Sequence, residues 1–189
     1  MRLSHGLALF AVGAVGGLIG DAAHVQTGAT TYLSDGFPFV WESALWFPLA
    51  VGLATVATGG VRVLLAPVRP LPGIATDGDR LREAAMAIAS VLAIYAVTAI
   101  VSDEPEGPAT TLTVMLAVLC VARFASGWAA LLCAASAAVL GPAAEIVLVE
   151  LEAARYAPSA DGLLGVAVWL VPLYFAFGAV VSRLTELLV

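Results

Sequence analysis

The sequence predicts an all-α integral membrane protein with six spanning helices, its N- and C-terminal ends on the inner side. Three observations carry this. Of the 189 residues, 61% are hydrophobic and 12% charged, against about 45–50% and about 25% in soluble domains. The mean hydropathy is +1.01. The apolar residues fall into six runs near the ~20 residues that a spanning helix needs. The eight basic residues, all arginine, gather on alternate connections. This composition excludes a water-soluble single-domain enzyme, and also a disordered chain, which needs low hydrophobicity. The net charge of −6 argues against nucleic-acid binding, which requires a basic face.

The runs are 7–25, 43–66, 84–101, 109–124, 128–149 and 162–184, together one domain over 1–189. Each reads as a helix, because backbone groups in lipid must be bonded within their own segment. Each is too long for a barrel strand and lacks strand alternation. The first run follows Met1-Arg2 and so also fits a secretory leader, but it is long for one. Arginine placement sets the orientation. Arg2, Arg62, Arg69, Arg80, Arg82, Arg123 and Arg183 fall on the inner side, and Arg155 on the outer. The outer connections are acidic, with Asp35, Glu42, Asp103, Glu104, Glu106, Glu150, Glu152 and Asp161.

The connection after span two holds Pro67, Pro70, Pro72 and Gly73, which forbid a continuous helix. Asp79 then reads as the N-cap of span three, with Glu83 in its first turn. The turn at Ser126-Gly127 is so short that spans four and five are expected to be antiparallel neighbours. Cys120 and Cys133 lie in separate apolar runs, so neither a metal site nor a disulfide framework is expected.

Ionisable groups inside spans are the natural functional candidates. Asp21 and His24 share a helix face at i,i+3 near the outer end of span one, and Gln26 extends the polar cluster. They could grip a lipid headgroup, act as acid and base, or simply sit in interfacial water. Glu145, near the outer end of span five, either exits toward the acidic surface or faces a cavity. Arg123 is expected to snorkel at the inner end of span four. The bilayer centre is therefore expected to hold no charge, which disfavours an ion-coupled transporter. No GxSxG, HExxH or phosphate-binding loop is present.

Span one repeats glycine at Gly13/Gly17 and Gly16/Gly20, and span five repeats Ala130, Ala134 and Ala138. Such spacing allows close helix packing within the chain or a homo-oligomer contact through span one. Pro48 and Pro172 each follow a tryptophan, Trp46 and Trp169, near an outer end. Read as kinks, they would splay helices around a lipid-sized cavity. Tyr95, Tyr174 and Phe175 are further lining candidates, and the deep Tyr174 hydroxyl needs a partner.

The stretches Asp21-Ala22-Ala23-His24-Val25-Gln26, Ser43-Ala44-Leu45-Trp46-Phe47-Pro48 and Trp169-Leu170-Val171-Pro172-Leu173-Tyr174-Phe175-Ala176-Phe177-Gly178, in a six-span frame, resemble the insulin-induced gene (Insig) family. The stretch 111–119 is similar to that family's fourth span, which places Thr111 near a pocket-lining position. The resemblance implies a six-helix protein with no catalysis of its own. It also implies a membrane lipid, diacylglycerol-like or sterol-like, in a cavity between the helices. Eukaryotic members sit in the endoplasmic reticulum membrane, bind oxysterol and retain sterol-sensing partners. The inner turn at Ser126-Gly127 is shorter than the charged loop those members carry. The absence of lysine and asparagine beside abundant alanine, glycine and arginine reads as a GC-rich bacterial genome, hence a bacterial cell membrane. The expectation is a lipid sensor or regulator of a membrane partner, with a bound lipid in place of any cofactor. The alternatives are a small transporter or channel component, and a lipid-modifying enzyme using His24 and Asp21.

Overall fold

The computed structural model describes residues 1–33, 39–68 and 71–189; Asp35, Arg69 and Pro70 lie outside the described residues. Among the described residues, six helices are long and apolar enough to cross a membrane. They are α1 (Leu3–Gln26), α2 (Trp46–Leu65), α3 (Asp77–Ile100), α4 (Glu106–Phe124), α5 (Trp128–Glu150) and α6 (Leu170–Leu188). The chain is an integral membrane protein. The end carrying Leu3 and Leu188 is called inner below, and the other end outer.

α6 is the axis of the bundle. It packs against each of the other five helices and is far more buried than any of them. α4 and α5 scarcely touch, although a short turn joins them, because α6 lies between them. This corrects the neighbour expectation. The left-handed Gly127 (φ 81°) lets the chain turn, and the small Gly178 then brings α6 against α5. A Cβ there would meet Ala134 Cα at 2.7 Å.

Span six starts later than expected, at Leu170. Residues 157–169 instead form a non-helical cap over the outer end. Asp161 accepts from the Gly165 amide (3.1 Å), and Leu163 and Val166 pair across the turn. Leu164 and Gly165 both take positive φ there. As a result Pro172 falls in the first turn of α6 and Pro48 in the first turn of α2. Amides in a first helical turn have no intrahelical partner, so neither proline breaks a bond. The kink reading of both is thereby corrected. The proline that does interrupt a helix is Pro142, inside α5.

α3 starts at Asp77, earlier than expected, and its N-cap is Thr76. Asp79 is the N3 partner in a reciprocal capping box: its amide donates to Thr76 Oγ1 (3.1 Å), and its carboxylate accepts from the Thr76 amide (3.0 Å).

Apolar side chains face outward as lipid demands, with Leu53, Leu64 and Leu140 well exposed. Small and hydroxylated residues fill the contacts inside. Thr55, Thr98, Thr113 and Thr185 are fully buried, and each donates to the carbonyl four residues earlier on its own helix. That satisfies the hydroxyl where no water is at hand. The α1–α2 contact depends on glycine: a Cβ on Gly17 would lie 2.8 Å from Val51 Cβ, and one on Gly52 would lie 2.8 Å from the Phe10 ring.

Candidate functional site: a polar chamber above an apolar cleft

At the outer end, a two-stranded ribbon roofs the bundle. β1 (Thr30–Tyr32) follows α1 and pairs antiparallel with β4 (Ala154–Tyr156), which follows α5. Side chains alternate across a strand. Thr30, Tyr32, Ala154 and Tyr156 therefore point inward, while Thr31 and Arg155 point out. Beneath the ribbon lies a narrow chamber with about 20 Å³ of free space, lined by Asp21, His24, Trp46, Phe47, Tyr95, Glu145 and Tyr174 among others. All four tyrosines of the chain line it: Tyr32, Tyr95, Tyr156 and Tyr174.

The chamber's polar groups are held in place. The Tyr32 phenol donates to Asp21 Oδ2 (2.7 Å), and the Tyr174 phenol to Glu145 Oε1 (2.8 Å). Tyr174 reaches that position because Gly141 leaves room for its ring; a Cβ there would sit 2.6 Å from Tyr174 Cδ2. Pro142 follows at once, so the Gly141-Pro142 step shapes this wall of the chamber. Burial, then the Asp21 carboxylate, hold the Tyr32 phenol above its ordinary range. Burial, then Glu145, do the same for Tyr156.

His24 is buried between the rings of Tyr95 (5.5 Å) and Trp169 (5.0 Å). Its Nε2 lies 2.8 Å from Thr98 Oγ1. That hydroxyl donates to the Tyr95 and Ile94 carbonyls (2.9 and 3.1 Å), so the imidazole edge is the donor in this contact. Asp21 bonds Tyr32 and His24 bonds Thr98: the acid–base pair suggested by their i,i+3 spacing is not formed. Both are nevertheless buried, which corrects the water-wetted interfacial reading. Glu145 is also buried and faces the cavity.

Below the chamber, a narrow apolar cleft with about 30 Å³ of free space runs between α1, α2, α3 and α6. Val12, Gly16, Val51, Val91, Phe177 and Leu184 are among its walls, and Tyr95 borders both spaces. Gly13, Gly17 and Gly20 are buried against Thr55, Val51 and Tyr95. Gly13, Gly17 and Gly20 thus serve packing within the chain, one of the two uses their spacing allowed, while Gly16 opens on the cleft.

Of the other sequence candidates, Trp46 lines the chamber and Trp169 backs it from behind His24. Gln26 is exposed at the end of α1. Pro48 is buried outside the chamber wall, where its neighbour Phe47 contributes instead. Phe175 is half-buried and away from both spaces, and Phe177 lines the cleft. Thr111 is exposed and donates to its own helix at Gly107 O (2.9 Å). Its helical phase points it outward, and Thr113 is the buried hydroxyl of α4. Thr30, Tyr32 and Tyr156 escaped the sequence reading. The signal available was the strand-like alternation of Thr30-Thr31-Tyr32 and Ala154-Arg155-Tyr156.

The inner end is closed by ion pairs. Arg62 donates to Glu186 Oε1 (2.7 and 2.9 Å), and Ser126 donates to the same oxygen. Glu83 accepts from Arg123 (2.6 and 2.8 Å) and from Arg183 (2.9 Å). Arg123 is therefore paired rather than simply snorkelling.

A six-helix integral membrane protein with a polar chamber at one end, an apolar cleft at mid-depth and a charge-locked opposite end is a class of fold and site in itself. No protein-family model matches the chain. It is 44% identical to an INSIG protein homolog of Mycolicibacterium vanbaalenii, over 100% of this chain and 89% of that protein. It is similar to the crystal structure of the mycobacterial Insig homolog MvINS from Mycobacterium vanbaalenii, with a TM-score of 0.90 at 42% identity, covering 100% of this chain and 95% of that one. A cross-linked MvINS trimer matches with a TM-score of 0.90 at 41% identity over the same shares. The chain belongs to the Insig family.

Proposed function

We propose that this protein holds a membrane lipid within its bundle and acts as a lipid sensor or regulator of a membrane partner, without catalysis of its own. The observation that carries the reading is the polar chamber meeting an apolar cleft at Tyr95. A lipid needs that pairing: hydrogen-bonding groups for its head and a dry slot for its chain. The chamber's carboxylates accept hydrogen bonds, so they favour a head rich in hydroxyl donors. A diacylglycerol-like lipid fits better than a phosphorylated one, since no arginine lines the chamber among the described residues. A sterol-like lipid would offer its hydroxyl to the same acceptors.

Catalysis would need a nucleophile within reach of a base with a free proton path. His24 faces Thr98, whose proton is committed to backbone carbonyls. Transport would need an opening at the inner end, where Arg62–Glu186 and the Glu83 pairs tie the helices together. The trimer of the solved relative supports a homo-oligomer here as well. Its contact surface would lie elsewhere than Gly13, Gly17 and Gly20, which are packed within the chain. Gentle purification followed by lipid extraction and mass spectrometry tests the proposal. Recovery of a neutral, hydroxyl-bearing lipid is expected, and protein that carries no lipid would sink it.

A further inference from the structure

A third space lies on the outside of the bundle, apart from the chamber and the cleft. It is a groove between α3 and α4 with about 280 Å³ of free space. Ala93 and Val97 form one wall and Leu116 and Leu119 the other. Two polar side chains border it, Ser90 and Arg123. Ser90 donates to the Met86 carbonyl (2.8 Å) on its own helix. Arg123, at the inner end of α4, is therefore the groove's polar recognition group.

The inner ion network explains why charge is available there. Arg62, Arg123 and Arg183 face Glu83 and Glu186. Three cations against two carboxylates leave one positive charge in excess. The side chains of Arg62, Arg183, Glu83 and Glu186 are 6%, 13%, 7% and 1% exposed, while that of Arg123 is 48% exposed. The excess charge is thus presented at Arg123, over the open end of the groove. The guanidinium is steadied by Glu83 on one edge and by the Phe124 ring 4.8 Å below it. Of its five N–H donors, those not turned to Glu83 remain for a second acceptor.

We propose that the α3–α4 groove binds an anionic phospholipid of the inner leaflet. One acyl chain lies along Val97, Leu116 and Leu119, and the phosphate accepts hydrogen bonds from Arg123. An arginine fork suits phosphate geometry, and the uncompensated charge favours a net-negative head over a zwitterionic one.

Native mass spectrometry of the whole chain in detergent, titrated with phosphatidylglycerol or with phosphatidylcholine of identical chains, tests this. Phosphatidylglycerol is expected to half-saturate at about fivefold lower concentration, the usual gain from one basic residue at a membrane surface. Arg123→Gln should abolish that preference. Leu119→Trp, which blocks the groove and leaves the guanidinium in place, should weaken both lipids. Arg155→Gln, on the outer ribbon, should change nothing. Equal binding of the two lipids in the wild type, a preference that survives Arg123→Gln, or wild-type affinity in Leu119→Trp would each overturn the proposal. Should Arg123→Gln fail to fold, Leu119→Trp decides it. Neutral lipid in the chamber is counted separately by its mass, so the two sites succeed or fail independently.

Discussion

The Tyr174–Glu145 contact shows how the chamber is built from single residues. The carboxylate is buried in a helix interior and takes its hydrogen bond from a phenol that fits only beside Gly141. Tyr174→Phe removes the donor and leaves the carboxylate behind. The expected cost is about 1–3 kcal/mol, read as a lower thermal midpoint in detergent, with weaker lipid retention. Thr98→Val should act similarly through His24. Tyr32 and Tyr156 carry a pH signature. Their phenols are held above the ordinary value by burial and by Asp21 and Glu145. A folded value above the unfolded one means that the protonated phenol is favoured by folding. That contribution is complete below about pH 10 and declines as pH rises beyond it. A spectrophotometric titration should show both phenols still protonated past pH 10, with tyrosinate appearing together with unfolding. Tyrosinate from these two at ordinary alkaline pH in folded protein would refute the burial argument.

The helices separate what patterning can reveal from what it cannot. Six apolar runs are visible because lipid demands them, and their order and orientation follow. The start of α6 is hidden, because Gly162–Trp169 is as apolar as a span. Only the two glycines hint that it folds back on itself. The same two residues of phase decide the prolines: Pro48 and Pro172 look internal until the helix starts are known. The strand pairing of β1 with β4 joins segments more than a hundred residues apart, which no local pattern discloses. Glycine spacing in α1 shows that something packs closely there, and the structure shows which glycine does what. Gly17→Ala forces a Cβ into Val51 and should cost about 1–3 kcal/mol. Gly16→Ala meets nothing within 4 Å and should be neutral or stabilising by up to about 1 kcal/mol. Thermal unfolding of the two side by side distinguishes packing from general helix effects.

Across the whole molecule, the two ends are locked differently. The outer end is covered by a ribbon and an apolar cap. The inner end is tied by buried charges, of which Glu186 serves Arg62, Arg183 and Ser126. Glu186→Gln leaves Arg62 short of a counter-charge and should destabilise the fold by about 3–5 kcal/mol, seen in denaturant or thermal unfolding. Asp21, His24 and Glu145 could be picked out in the sequence because charge is rare in spans. Their convergence with Tyr32 and Tyr156 could not, because it needs the fold. On the proposed reading, a lipid places its head in the chamber and its chain in the cleft beside Gly16. The lipid-to-protein ratio of gently purified wild type and Gly16→Leu, whose added side chain fills the cleft, tests that placement most directly. A folded variant that has lost the bound lipid retained by the wild type is the predicted result. An unchanged ratio, or a wild type without lipid, would contradict it.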